Sequence, residues 1–102
     1  MQRLVEQPAA EGDVLDENGY LGRVHYHLAV YHHFSDAEGE PVPAKVEIEG
    51  RIAAVDDLDI AELHRKGAEL ILRLDDGRSL DFRITHEDGT IHSTGRGLHT
   101  PE

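Results

Sequence analysis

The sequence predicts a mainly β fold, a small antiparallel barrel or half-barrel of about five strands with one short helix, in the order β-β-α-β-β-β. Three observations support this prediction. Apolar and polar residues alternate along several segments, which is typical of half-buried strands. Two Asp-Gly pairs mark tight turns between such segments. A single short segment carries the start and stop signals of a helix.

The first two predicted strands are the longest, at 20–34 and 45–55. Apolar side chains recur at every second position from Val24 to Val30 in the first strand, and from Val46 to Ala54 in the second. Gly50 lies on the apolar face of the second strand, where it indicates a bulge or a close approach of two backbones. The period of two assigns one face of each strand to the core.

The helix is predicted at roughly 59–66. Asp59 is placed to cap its amino end, and Glu62, three residues later, completes a capping box. Gly67 is placed for the left-handed residue that commonly ends a helix. A helix this short is marginal alone, so we expect it to pack on the sheet.

A β-hairpin follows the helix, with strands at 69–75 and 79–86. Its turn is Asp75-Asp76-Gly77-Arg78, in which Asp-Gly suits the positive backbone angles of a tight hairpin. A second Asp-Gly pair at 88–89 leads into a last short strand at 90–92. These three strands complete the predicted barrel.

The 102 residues fit one domain, which we predict at 19–95. The acidic segment 1–18 shows no period in its apolar residues and is predicted to be a flexible tail, as is 96–102. Aromatic residues are few, so aliphatic side chains dominate the predicted core. The residues expected to be buried are Val24, Leu28, Val30, Ile48, Ile52, Leu63, Leu70, Leu72, Leu74, Leu80, Phe82 and Ile84.

The composition restricts the possible partners. The formal net charge of −11 repels nucleic acid and anionic membranes. It either serves solubility alone or favours a basic protein partner or cations. Cysteine is absent, which excludes disulfides, thiolate metal sites and cysteine nucleophiles. The sequence shows no apolar segment typical of a secretory signal or a membrane span, so we expect a cytoplasmic protein.

A histidine pair is the clearest candidate for a metal site. His25 and His27 lie two residues apart on one predicted strand, so their rings project from the same face. Such a pair supplies two of the ligands that zinc or nickel requires. Glu47 and Glu49 on the next strand are the candidates for the remaining ligands.

The predicted strand register also offers a plainer interpretation of the pair. A near-symmetric hairpin places His33 opposite Glu47, and His27 opposite Ala53 and diagonal to Arg51. An arginine is a poor neighbour for a cation. Under this interpretation the two histidines are ordinary solvent-facing strand residues.

The segment 35–44 is predicted to be a long acidic loop, because Gly39, Pro41 and Pro43 interrupt the strand pattern. It joins two strands that far fewer residues would connect. We therefore consider it a candidate contact for a basic partner, with a plain connector as the alternative. The candidate contact residues are His32, His33, Asp36, Glu38 and Glu40.

Arginines are scattered over the strands. Arg23, Arg51, Arg73 and Arg83 fall at outward positions, where they form either a basic stripe or ion pairs with acids on adjacent strands. The predicted acidic partners are Glu47, Glu49, Glu69 and Asp81.

No local catalytic motif is present: the sequence lacks a nucleophile elbow, a phosphate-binding loop and a His-Glu-x-x-His zinc motif. The main functional hypothesis is a small, non-enzymatic protein-binding module. The alternatives are a metal-binding domain that uses the strand histidines, and a small enzyme whose site is assembled only in the folded protein.

Overall fold

The computed structural model describes residues 2–37, 40–94 and 98–100. Within these residues it contains seven strands and one helix. In chain order these are β1 (Gln2–Glu6), β2 (Ala9–Asp16), β3 (Gly19–Ala37), β4 (Glu40–Ala54), α1 (Ile60–Lys66), β5 (Leu70–Arg73), β6 (Ser79–Ile84) and β7 (Thr90–Ser93).

Six of the strands close into an antiparallel barrel in the order β2-β3-β4-β7-β6-β5, and β5 pairs back onto β2. The seventh strand, β1, adds to β3 beyond the barrel wall. The predicted small β-barrel with one short helix is therefore confirmed. The strand order differs from the prediction because two strands precede those predicted.

The prediction that residues 1–18 form a flexible tail was wrong, since most of this segment belongs to β1 and β2. Within β2, Val14 is fully buried, whereas Glu11 and Asp13 point outward from the barrel wall. Arg23 on the adjacent strand binds both acids. The acidic composition that indicated a tail belongs to the solvent-facing side of a paired strand.

The predicted C-terminal tail, 96–102, also contains an ordered contact. His99 forms an antiparallel bridge with Ser79, and its backbone N–H donates to the Ser79 carbonyl at 2.9 Å. Residues 96, 97, 101 and 102 lie outside the described residues. The bridge gives β6 a pairing at Ser79, on the side where β7 pairs only with residues 82–84.

The prediction of a long loop at 35–44 was wrong as well. β3 and β4 pair almost to the end of their hairpin, through Phe34↔Pro43, Ser35↔Val42, Asp36↔Pro41 and Ala37↔Glu40. Proline is tolerated where a strand edge is open, and β7 pairs with β4 only at residues 49–51. The prolines therefore lie within a strand and do not end it.

The predicted core is confirmed in all twelve residues. Each is at most 9 % exposed, and Phe82, Leu72, Leu80, Val24 and Ile48 are fully buried. Val14, Tyr26 and Ile91 complete the cluster. The Tyr26 hydroxyl reaches the Asp75 carboxylate at 2.9 Å, and burial raises the pKa of this tyrosine.

The helix and the turns follow their sequence signals. The Asp59 side chain accepts a hydrogen bond from the Glu62 backbone N–H at 3.0 Å, and Gly67 ends the helix in the left-handed conformation. Leu63 faces the core. The Leu74 N–H donates to the Arg78 carbonyl at 2.8 Å across the β5–β6 turn. In the part of the chain that the structure describes, no helix has the length and apolar character needed to cross a membrane.

Candidate functional site

The histidines predicted as metal ligands lie on the outer wall of the barrel. His25 is opposite Ala53 of β4, and His27 is opposite Arg51. Both rings are exposed. Glu11 on β2 is the nearest carboxylate to His25, at 3.9 Å from its Nε2 atom.

The predicted register of the β3–β4 hairpin was wrong by two residues. Tyr31 lies opposite Glu47, whereas His33 lies opposite Lys45, and His27 faces Arg51 directly. The alternating pattern determines which side chains share a face, and a shift of two residues preserves it. Pattern alone therefore left the exact partners undetermined.

The structure does not bring the four predicted metal ligands together. The Glu47 carboxylate lies 2.8 Å from Nε2 of His92 on β7, and Glu49 lies between Ala29 and His92 in the strand register. No three histidine, aspartate or glutamate side chains converge on a common point among the described residues.

His92 was not identified as a site residue from the sequence. Its Nε2 atom faces Glu47, and its Nδ1 atom lies 3.1 Å from the Ser93 carbonyl oxygen. Both partners of the ring are hydrogen-bond acceptors. The pattern Thr90-Ile91-His92 places His92 outward, but its neighbour on β4 depends on barrel closure, which the pattern does not contain.

A shallow groove of about 320 Å³ lies beside His25 and His27, with Arg51 and Asp88 in its lining. The Arg51 guanidinium binds the Asp88 carboxylate at 2.9 Å. Hydrogen bonds from the Thr90 hydroxyl and backbone N–H, together with Arg51, hold the Asp88 pKa well below its ordinary value. The positive charge of Arg51 in this groove is thus already neutralised by Asp88.

A second groove, of about 500 Å³, runs along the outer wall beside β5 and β6. Four carboxylates line it, from Asp16, Glu17, Glu69 and Asp81. His99 approaches Asp81 at 3.6 Å and is mostly buried.

Two of the four outward arginines, Arg23 and Arg51, pair with acids other than those predicted. Arg23 binds Glu11 at 3.2 Å and Asp13 at 2.9 Å, both on β2, and Arg51 binds Asp88 in the β6–β7 turn. These acids separate the arginines, so no continuous basic stripe forms along β3 and β4.

The most distinctive surface is a projecting sheet, which we call the arm: β1, residues 31–37 of β3 and residues 40–47 of β4. β2 pairs with β3 only as far as Ala9↔His27, and β7 pairs with β4 only from Glu49 onward. Beyond these points β3 and β4 keep pairing with each other. The molecule measures 51 × 27 × 22 Å as a result.

The predicted partner-contact residues are distributed along the arm. His32 and His33 lie in its middle, opposite Val46 and Lys45. Near its tip Asp36 lies opposite Pro41 and Glu40 lies opposite Ala37, and Glu38 lies outside the described residues. The segment singled out from the sequence thus forms one end of a β-sheet.

Apolar side chains are unusually exposed on the arm. Leu4 is 46 % exposed, Val5 51 % and Val46 39 %. They are half of the six large apolar residues that the described part of the chain leaves exposed. Leu4 shares a face of the sheet with Tyr31, whereas Val46 shares the opposite face with His32, so both faces of the arm expose an apolar side chain.

Arg78 ties the base of the arm to the barrel. Its guanidinium donates to both carboxylate oxygens of Glu6 on β1, at 2.7 and 3.1 Å, and to Asp76 at 2.8 Å. The Arg78 side chain lowers the pKa of Glu6, and the backbone N–H and side chain of Arg78 lower that of Asp76. β1 is therefore held at its barrel end by a charged contact.

Comparison with known proteins adds no assignment: no family model matches the chain, and no curated protein or solved structure is significantly similar to it.

Proposed function

We propose that this chain is a small protein-binding module whose contact surface is the arm and whose partner is basic. The observation that carries the proposal is the continuation of β3 and β4 beyond a barrel that is already closed. Neither catalysis nor a resident metal is part of this proposal.

The energetics of the arm support a role other than stabilisation. Residues 31–37 add about 23 Å of strand at 3.3 Å per residue. Ordering a residue costs roughly 1–2 kcal/mol of backbone entropy. The exposed Leu4, Val5 and Val46 recover little of that cost, since their side chains remain largely in water. A binding surface gives a reason to keep such a sheet extended.

The charge of the chain supports a basic partner. The formal net charge is −11, which raises the local concentration of cationic chains and speeds their encounter. The sequence at the tip of the arm adds three acids, Asp36, Glu38 and Glu40. Higher ionic strength is therefore expected to weaken the complex.

The direct test shortens the arm. Replacing residues 34–44 with Asn-Gly joins His33 to Lys45, which face each other in the native register, through a two-residue turn that suits a hairpin. We expect circular dichroism to show that the barrel of this variant remains folded. We expect the variant to lose the partners that the native chain captures, and that are then cross-linked to it, in whole-cell lysate. Whole-cell lysate is appropriate because the cytoplasmic location stays a prediction.

A charge-matched variant provides the control. Glu17→Gln, Asp57→Asn and Glu87→Gln remove three acids from exposed positions of the barrel, as many as the shortened arm loses. This variant is expected to keep every partner. If the shortened arm keeps the same cross-linked partners as the native chain, the binding surface lies elsewhere and the proposal fails.

A further inference from the structure

The two long edges of the arm differ in whether they can accept another strand. On β4, Ile52 donates its N–H to the Gly89 carbonyl and Ile48 donates its N–H to the Ser93 hydroxyl. The backbone N–H and C=O groups of even-numbered β4 residues therefore point away from β3. A bulge between His33 and Phe34 shifts this alternation by one residue. Pro41 and Pro43 then lie at the outward positions.

The prolines therefore protect the outer edge of β4. A proline at an outward position has no N–H to offer a neighbouring strand, which is one of the ways in which proteins prevent edge-to-edge pairing. Along the part of β4 beyond β7, Val46 is left as an outward residue with a backbone donor.

The outer edge of β1 has no such protection. Leu28 on β3 donates its N–H to the Pro8 carbonyl, so even-numbered β3 residues point their backbone toward β1 and β2. In the β1 register His32 faces Arg3, whereas Leu4 and Gln2 face the odd-numbered Tyr31 and His33. The backbone N–H and C=O groups of Gln2 and Leu4 consequently point outward.

We propose that the partner binds as an extended, basic segment that adds a strand to the outer edge of β1. This inference rests on the proposed function of the arm and specifies how the arm is used. Strand addition satisfies the backbone groups of Gln2 and Leu4, and the exposed Leu4 and Val5 side chains provide apolar contacts for the segment. A second copy of this chain carries the same charge of −11 and is repelled.

The first experiment uses a short synthetic peptide of alternating lysine and valine as the probe, added to the full chain labelled with ¹⁵N. We expect the Gln2 and Leu4 amides to shift and to gain protection from solvent exchange, whereas the Val46 amide does not. An alternating glutamate–valine peptide should produce neither effect. Added salt should weaken the binding of the lysine–valine peptide.

Two matched substitutions distinguish the edges. Leu4→Pro removes an outward donor from β1, and Val46→Pro removes an outward donor from β4; neither change removes a hydrogen bond to β3. We expect Leu4→Pro to abolish the peptide-induced protection of Gln2 and Val46→Pro to leave it unchanged. The Arg3 amide faces β3, so its retained protection in Leu4→Pro verifies that β1 stays paired with β3. Gln2→Pro removes the other outward donor of β1 and is a second test of the same edge.

The outcomes separate this inference from the proposed function. Protection of Val46 and loss of binding in Val46→Pro would place the strand on β4, overturning the inference while the arm remains the contact surface. If no arm amide responds to the lysine peptide, strand addition on β1 is overturned, and the shortened-arm capture decides the proposed function separately. Protection of Gln2 and Leu4 on concentrating the protein alone would identify a second copy as the occupant and overturn the basic partner.

Discussion

The barrel and the arm are built from the same two strands and differ in what their side chains contact. Within the barrel, Leu28 of β3 is 1 % exposed and Ile48 of β4 is fully buried. Only two residues before Ile48, at the root of the arm, Val46 is 39 % exposed. Backbone pairing thus continues after core packing has ended. The comparison shows that strand length here exceeds what the hydrophobic core requires.

This difference implies two levels of stability in one small protein. Opening the barrel exposes the whole aliphatic core, so we expect it to coincide with global unfolding. Releasing the arm exposes little additional apolar surface and is expected at a much smaller free energy. Five predictions test this distinction, from the largest effect to the smallest.

The largest effect is expected from Phe82→Ala, because Phe82 is fully buried inside the barrel. The substitution should lower the free energy of unfolding by about 3–5 kcal/mol in urea titrations. Val46→Ala, its counterpart in the arm, should change it by less than about 0.5 kcal/mol. Similar losses in the two variants would contradict the separation of barrel and arm.

Gly50→Ala tests how closely β3 and β4 approach where the barrel begins. A Cβ atom at Gly50 would overlap the His27 carbonyl oxygen and approach Cα of Leu28 within 2.9 Å. Because backbone atoms cannot rotate away, we expect a loss of about 1–3 kcal/mol on chemical denaturation. Ala53→Ser, at an exposed position of the same strand, is the control. A neutral Gly50→Ala would mean that the strands separate locally at little cost.

Arg78→Gln is expected to loosen the arm more than the barrel. Losing the ion pairs with Glu6 and Asp76 should cost about 0.2–1 kcal/mol globally, since the carboxylates are partly exposed. Hydrogen exchange at the Arg3 and Glu6 amides, which face β3, should accelerate more than exchange at Leu72 in the barrel. Uniform acceleration at all three amides would show that β1 and the barrel open together.

The same substitution should alter the pH dependence of stability. The pKa values of Glu6 and Asp76 are lowered in the folded state, so their contribution is present above the ordinary carboxyl pKa and is lost as pH falls through the lowered values. Arg78→Gln should therefore destabilise the protein at neutral pH more than at acidic pH. An equal effect at neutral and at acidic pH would mean that the loss of stability comes from packing alone.

The smallest effect concerns the β6–β7 turn at the other end of the barrel. Asp88 should titrate by NMR well below its ordinary pKa, mainly because Thr90 donates two hydrogen bonds to its carboxylate. Thr90→Val removes the hydroxyl donor and should raise the Asp88 pKa. The arm amides should not respond, because the turn lies far from the arm in the sheet. A response there would reveal coupling between the two regions.

The sequence was sufficient to predict those parts of the fold that local chemistry determines. The caps Asp59 and Gly67, the Asp-Gly turn at 76–77 and the twelve core positions all follow from residue type and spacing. β2 was missed because its outward acids resemble the composition of a disordered tail. The hairpin at 35–44 was missed because prolines usually interrupt strands, and only the absence of a neighbour on β4 accommodates them.

The candidate site was less predictable, because it depends on contacts between distant segments. The sequence made 35–44 a candidate contact for a partner, with a plain connector as the alternative, but the pairing of β1 with β3 was not visible in it. His92 reaches Glu47 only because the barrel closes between β4 and β7. Such contacts depend on register, and the alternating pattern permits registers that differ by two residues.

Closure of the ring through β7 has a consequence for biosynthesis. Residues 90–93 emerge from the ribosome several seconds after β4 at roughly 5–20 residues per second, and until then β4 has no partner on that side. The nascent chain therefore exposes an unpaired strand edge for longer than a protein built from local hairpins. Chains truncated before Thr90 are expected to bind holdase chaperones or aggregate, because the barrel closes only when β7 has paired with both β4 and β6.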